Sequence, residues 1–162
     1  MMRVVLMGVA GCGKSSVGEA LALRLGIPYR DGDDLHPAEN VEKMRQGVPL
    51  TDADRWPWLD RVAEALAQPP VIIGCSALKR SYRDRIRAGA GGPVRFVHLD
   101  GSRQLIAARM AERQGHYMPL SLLDSQFAAL EPPGPDEAMR VDIDQTLDAL
   151  VWAIAADLTG MA

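Results

Sequence analysis

The chain has 162 residues, 48% of them hydrophobic, and a formal net charge of −3, which suits one domain, 1–162, with a sizeable buried core. The acidic balance argues against bulk binding to nucleic acid or to an anionic membrane, and 5% aromatic content disfavours a base-stacking platform. No apolar run reaches the roughly 18 residues a membrane span needs, and two cysteines, Cys12 and Cys75, make no disulfide framework, so a cytoplasmic chain is expected.

Short apolar runs alternate with amphipathic stretches. Arg3 to Met7 reads as a buried strand. Lys14 to Leu25 reads as a helix, with Val17, Leu21 and Leu25 at spacing four. Ile27 to Arg30 is a weak second strand. Pro37 to Gln46 forms a helix that Gly47 ends. Thr51 opens a T-x-x-D capping signal, and the helix it starts runs to about Gln68, with a restart expected at Pro57. Val71 to Cys75 is a third strand, followed by a basic helix from about Ala77 to Ala88. Val94 to Leu99 is a fourth strand, Ser102 to Gln114 a helix, and Ser121 to Leu130 a short helix. Arg140 to Ile143 is a fifth strand, and Gln145 to Leu158 the last helix. Strands alternating with helices imply right-handed βαβ units and an α/β fold with a five-stranded parallel sheet. In such sheets ligands bind beyond the carboxyl ends of the strands, so the segments after Met7, Arg30, Cys75 and Leu99 are the ones to search.

The first of these carries Gly8-Val9-Ala10-Gly11-Cys12-Gly13-Lys14-Ser15, which fits G-x-x-x-x-G-K-[ST] between a strand and a helix. Glycines let the backbone curl so that several N–H groups point at one anion, and the helix dipole favours negative charge there. Lys14 can reach the β- and γ-phosphates of a nucleotide, and the Ser15 hydroxyl can ligate Mg²⁺. Cys12 reads either as a small filler or as a thiol activated by the helix terminus and Lys14.

The second strand ends in Asp31-Gly32-Asp33-Asp34-Leu35-His36. Phosphoryl transfer to a hydroxyl needs a carboxylate to orient that hydroxyl and accept its proton, and an acidic group near the metal's water shell. Asp31 and Asp33 can divide these tasks. Asp34 reads as a helix cap, and His36 as either a surface or a substrate residue.

The motifs GVAGCGKSSVG, DGDDLHPAENVEKMRQGVPLTDADRWPWL, CSALKRSYRDRIR, VHLDGS, RQGHYMPLSLLDSQFAALEPP and VDID run almost from end to end. In them the chain resembles the gluconokinases, small P-loop kinases. The resemblance implies a three-layer fold like that of nucleoside-monophosphate and shikimate kinases, ATP and Mg²⁺ as cofactors, and phosphorylation of the 6-hydroxyl of D-gluconate. It also implies a homodimer. Residue by residue, it makes Gly8 to Ser15, with Ser16 beside them, the ATP-phosphate loop. It makes Asp33 the carboxylate on the acceptor hydroxyl and Asp31 the carboxylate that holds metal-bound water beside Ser15. Arg109 matches a residue that stacks on adenine, and Arg55 one that binds a substrate carboxylate. Arg113 and His116 fall in a lid over about 113–130, His116 standing where relatives carry arginine. After the third strand Gly74-Cys75-Ser76 stands in place of a D-x-x-G, so metal ligation is expected to rest on Ser15, Asp31 and water.

The residues themselves also ask for an anionic, polyhydroxylated acceptor. Arg45, Arg55, Lys79, Arg80 and Arg83 fall on segments expected to border the acceptor cleft, where an arginine can hold a carboxylate bidentately. Lys79 and Arg80 open a helix, where cations oppose the dipole, which favours a bound anion. Arg85 and Arg87 read as a solvated face. Gly115 to Pro119, between two helices, fits a hinge closing over ATP to exclude water. Two alternatives remain open at this point: the same fold acting on shikimate or a nucleoside monophosphate, and a nucleotide-binding switch with no acceptor.

Overall fold

The computed structural model describes residues 1–112 and 120–160. Five strands form one parallel sheet in the order β2-β3-β1-β4-β5. They are β1 (Arg3–Met7), β2 (Tyr29–Asp31), β3 (Val71–Gly74), β4 (Arg95–Asp100) and β5 (Ala138–Asp142). The helices are α1 (Lys14–Leu25), α2 (Ala38–Arg45), α3 (Asp52–Leu66), α4 (Arg80–Gly89), α5 (Arg103–Glu112), α6 (Leu120–Ala129) and α7 (Leu147–Thr159), with a 3₁₀ turn at Gly32–Leu35.

Side chains alternate across the sheet and build two cores. Val4, Leu6, Ile72, Val97 and Leu99 face α1 and α7, meeting Val17, Leu21, Val151 and Ile154. Val5, Met7, Val71, Ile73 and Phe96 face the other way, onto Trp58, Leu59, Val62 and Leu66 of α3 and Tyr82 and Ile86 of α4. The central strand β1 is buried on both sides, which is why it reads as an unbroken apolar run. Truncating a side chain such as Leu6, with 0% exposure, to alanine costs about 2–5 kcal/mol.

Strand β2 runs over Tyr29–Asp31 rather than from Ile27 to Arg30, and β5 starts at Ala138 rather than Arg140; two helices differ from expectation as well. The helix from Thr51 has no restart: Pro57 sits inside an unbroken α3. A reciprocal capping box between Thr51 and Asp54 stabilises the first turn, and burial of Trp58 and Leu59 immediately afterwards holds the next one. Together these offset the proline's missing amide. The basic helix starts later than expected, at Arg80. Residues 75–79 form a loop in which Ala77 adopts φ 46°, a left-handed conformation incompatible with a helix start.

Candidate active site

A cavity of about 850 Å³ opens at the carboxyl edge of the sheet. One wall is backbone. Ala10, Gly11, Gly13, Lys14, Ser15 and Ser16 line it where β1 passes into α1. Gly13 is the residue before the helix, at φ 101°, and the first turn of α1 has neither a side-chain cap nor an acidic residue. Its amide hydrogens and the dipole therefore face the cavity uncompensated, which is the electrostatic requirement of an anion site. Gly11 is needed for space as well: at its φ of 81° a Cβ would come 2.7 Å from Met110 Cγ. Lys14 lies along the loop and donates to the carbonyls of Gly8 (2.9 Å) and Val9 (3.1 Å). From α6, the Gln126 side-chain oxygen accepts from the Ala10 amide at 2.6 Å, and Leu122, Ser125 and Ala129 complete that side.

The opposite wall is made of side chains. Asp31 accepts from the Asp33 amide at 2.9 Å, which folds the 3₁₀ turn and brings both carboxylates onto the cavity. Asp33 is exposed on the cavity side, and the surrounding wall displaces part of its hydration. Lost hydration raises its pKa, Asp31 and Asp34 add to the rise, and Lys14 opposes it. Tyr29, between this turn and the loop, is pushed up to about 12, chiefly by burial, and stays a neutral phenol. His36 stacks on Trp58, ring centroids 4.2 Å apart, while the Trp58 indole donates to Gly32 O at 2.7 Å. Burial and then the Arg55 charge hold the His36 ring down at about 4, so it is neutral at physiological pH. Arg55 donates to Leu50 O (2.7 Å) and Tyr82 Oη (3.3 Å), and among the described residues no carboxylate pairs with it. A guanidinium held by neutral partners on a cavity wall keeps its charge available for a ligand carboxylate.

No group of three or more His, Cys, Asp or Glu residues capable of holding a metal occurs among the described residues. Ser15 with Asp31 instead fits Mg²⁺, which is bound by one or two carboxylates, water and substrate phosphates rather than by an all-protein cage.

A family model described as an AAA domain matches residues 4–133. The gluconokinase of Gluconobacter oxydans (strain 621H) is 52% identical over 154 residues, covering 91% of this chain and 86% of the relative. The crystal structure of a gluconokinase from Sinorhizobium meliloti 1021 superposes with a TM-score of 0.92 at 51% identity, over 99% of this chain and 93% of that one. The chain belongs to the gluconokinase family. Shikimate kinase from Aquifex aeolicus vf5, at 20% identity and a TM-score of 0.63 over 98% of this chain and 97% of its own, shares the three-layer P-loop kinase fold. The much closer gluconokinases do not favour a shikimate acceptor.

Of the gluconokinase residues expected from sequence, the cavity gathers Ala10, Gly11, Gly13, Lys14, Ser15, Ser16, Asp31, Asp33, His36 and Arg55. Gly8 and Val9 lie behind the loop, and Cys12 is 1% exposed within the core under it, its Sγ 3.8 Å from Lys14 Nζ. Arg45 points along α2 to Glu42 at 2.7 Å and is not among the lining residues. Lys79 pairs with Asp52 at 3.2 Å. The anion that the basic start of α4 calls for exists within the chain: the Glu131 carboxylate accepts from the Arg80 amide at 2.7 Å, while the Arg80 side chain reaches Asp84 and Glu137. Arg109 donates to Ile143 O at 2.7 Å. Arg113 and His116 lie outside the described residues.

Besides Arg45, Lys79 and Arg80, none of which lines the cavity, two more basic residues differ from expectation. Arg83 is 1% exposed and belongs to no cleft. It donates to Glu137 (2.6 Å) and to the carbonyls of Ala77, Leu78 and Glu131. Arg87 is no solvated residue either, because it pairs with Glu137 at 2.7 Å and covers the Phe96 ring. Burial favours the neutral form of Glu137, but these two arginines outweigh it and hold its pKa at about 2. Sequence reasoning missed Tyr29, Trp58 and Gln126. Trp58 had no local signal, since the carbonyl it donates to, Gly32 O, lies 26 positions away. Gln126 had none, because its partner is a backbone amide 116 positions away.

Proposed function

We propose that the chain transfers the γ-phosphoryl group of ATP, with Mg²⁺, to the 6-hydroxyl of D-gluconate, giving 6-phospho-D-gluconate and ADP. Family membership supports this reading. The observation that carries it is the pairing within one cavity of an anion-binding backbone loop with a wall bearing Asp33, His36 and Arg55. ATP lies with its phosphates on the amides of residues 13–16 at the uncapped start of α1 and its adenine beside Arg109. Lys14 leaves the Gly8 and Val9 carbonyls for the phosphate oxygens and offsets the charge that builds in the transition state. Mg²⁺, held by Ser15 and by water on Asp31, supplies charge neutralisation to the phosphates. Arg55 takes the gluconate carboxylate, His36 an oxygen of the polyol, and Asp33 orients the 6-hydroxyl. The hydroxyl oxygen bonds to the γ-phosphorus as the bond to the β–γ bridging oxygen breaks. The hydroxyl proton passes to Asp33, whose raised pKa makes it a better acceptor than an ordinary carboxylate.

In this reading residues 1–162 act as one kinase domain in the cytoplasm, with 113–130 as the cover of the nucleotide and Arg113 and His116 as added charge and donors there. Arg45, Lys79 and Arg80 are each paired with a carboxylate of the chain, which leaves the acceptor's carboxylate to Arg55, and two copies associate as a homodimer. No described helix is long and apolar enough to cross a membrane. The test is ADP release from Mg-ATP with D-gluconate, shikimate or AMP as acceptor. Turnover with gluconate and little with the others is expected, and turnover confined to AMP or shikimate overturns the proposal.

A further inference from the structure

The gluconate-binding reading gives His36 a hydrogen bond to the sugar acid but leaves open which ring nitrogen faces it and whether that nitrogen gives or takes a proton. A neutral imidazole has one donor and one acceptor nitrogen, and the two make opposite demands on a ligand. A base at this position would compete with Asp33 for the hydroxyl proton, whereas a donor would not.

The buried side chain of Asn40, 3% exposed, decides between them. Its amide Nδ2 lies 2.8 Å from the Asp54 carbonyl oxygen and 3.1 Å from His36 Nδ1. A backbone carbonyl only accepts, so the group facing it must be the NH₂, and the orientation of the Asn40 amide follows without reference to the histidine. The second hydrogen of that NH₂ then points at Nδ1, which must offer a lone pair. The single ring proton is left on Nε2. An imidazolium would set an Nδ1–H against the Asn40 NH₂, so the same contact disfavours the charged ring. Stacking on Trp58, itself tied to Gly32 O, keeps the ring from turning over.

We propose that Asn40 is a positioning residue that locks His36 as the Nε2–H tautomer, so that His36 serves the sugar acid as a neutral hydrogen-bond donor and leaves proton removal to Asp33 alone. This rests on the gluconate reading of the cavity. His36 sits just before Pro37, the residue that opens α2, and Asn40 sits in the first turn of that helix, so the chain folds one back onto the other at the entry of α2. The contact to Asp54 ties that turn to the capping box of α3, so the tautomer is set by the way two helix starts meet.

The test begins with the unaltered protein. Long-range ¹H–¹⁵N correlation spectra at neutral pH should show His36 Nδ1 as the unprotonated nitrogen and Nε2 as the protonated one. A protonated Nδ1 overturns the proposal. In Asn40→Asp the carboxylate accepts from Nδ1, which, at a pH high enough that the ring carries one proton, reverses the ring pattern and turns Nε2 into an acceptor. KM for D-gluconate should then rise about tenfold or more, the loss of about one hydrogen bond, with KM for ATP unchanged. A reversed ring with an unchanged gluconate KM also overturns it. If Asn40→Asp does not fold, His36→Gln and His36→Ala decide: glutamine restores an N–H near the Nε2 position and should keep gluconate KM within a few-fold of the parent, while alanine should not. Equal losses in the two variants count against the proposal. Failure of the parent protein to phosphorylate gluconate would instead strike the underlying functional reading, and the ring spectrum would still stand on its own.

Discussion

The two walls of the cavity are built on different principles. The phosphate wall is continuous in sequence and made of main chain: six lining residues from Ala10 to Ser16, a glycine at φ 101° and an uncapped helix start. The acceptor wall is made of side chains from separate segments. Asp33 comes from a 3₁₀ turn, His36 from the entry of α2 and Arg55 from α3, and each is held by a neighbour: Asp33 by Asp31, His36 by Asn40 and Arg55 by the Leu50 carbonyl. A backbone site tolerates substitution of its neighbours as long as its dihedral angles survive. A side-chain site is as sound as its supports.

The contrast is sharpest in the variants that remove charge. Lys14→Ala should lower kcat by about 10²–10³-fold or more in steady-state assays, since it deletes the only side-chain cation reaching the phosphates from the loop. Asp33→Asn should lower kcat by about 10²–10⁴-fold while leaving Mg-ATP binding by calorimetry close to the parent's. Loss of nucleotide binding in that variant would mean the two walls are not separable. In the parent, the acid limb of kcat/KM should be displaced upward from where an unperturbed carboxylate would put it, because activity falls as protonation of Asp33 sets in and its pKa is raised.

Arg55→Lys keeps the charge but not the fork that binds Leu50 O and leaves room for a carboxylate. It should raise KM for gluconate by about tenfold and leave KM for ATP alone. The smallest effect is on stability. His36 titrates near 4 in the folded protein and near 6.5 when unfolded. Below pH 6.5 the unfolded chain therefore binds a proton that the folded chain refuses until about pH 4, and stability falls as pH drops through that window. Urea unfolding at pH 7 and pH 5 should show a loss about 1–2 kcal/mol larger for the parent than for His36→Gln. An equal loss in both would mean that the ring is not shielded as the stacking on Trp58 suggests.

The same division governs what could be read before the structure was known. The phosphate loop and α1 were legible to the residue, Lys14 to Leu25, because a motif and a helical period coincide there. The sheet was legible from its apolar runs. Pro57 misled, because a local cost was weighed without the capping box and the buried Trp58 that offset it. The start of α4 misled because Ala77 carries no mark of a left-handed backbone. On the acceptor wall, residue types were legible and their partners were not. The five basic residues considered there have different fates. Arg55 faces the cavity, Arg45, Lys79 and Arg80 pair with carboxylates, and Arg83 is buried. The partners of Arg45 and Arg80 lie three and four positions away on the same helix and were open to reading, whereas those of Lys79 and Arg83 lie 27 and 54 positions away.

Arg83 joins stretches of chain that the sheet ladder leaves independent. Its guanidinium grips the loop that carries Ser76 and Leu78 into the cavity, the backbone of Glu131 just past α6, and the Glu137 carboxylate at the threshold of β5. A shift of α4 would therefore carry the floor under the acceptor and the root of the Gln126 helix together. From that flank of the molecule, the grip on sugar acid and the grip on nucleotide cannot be tuned one at a time.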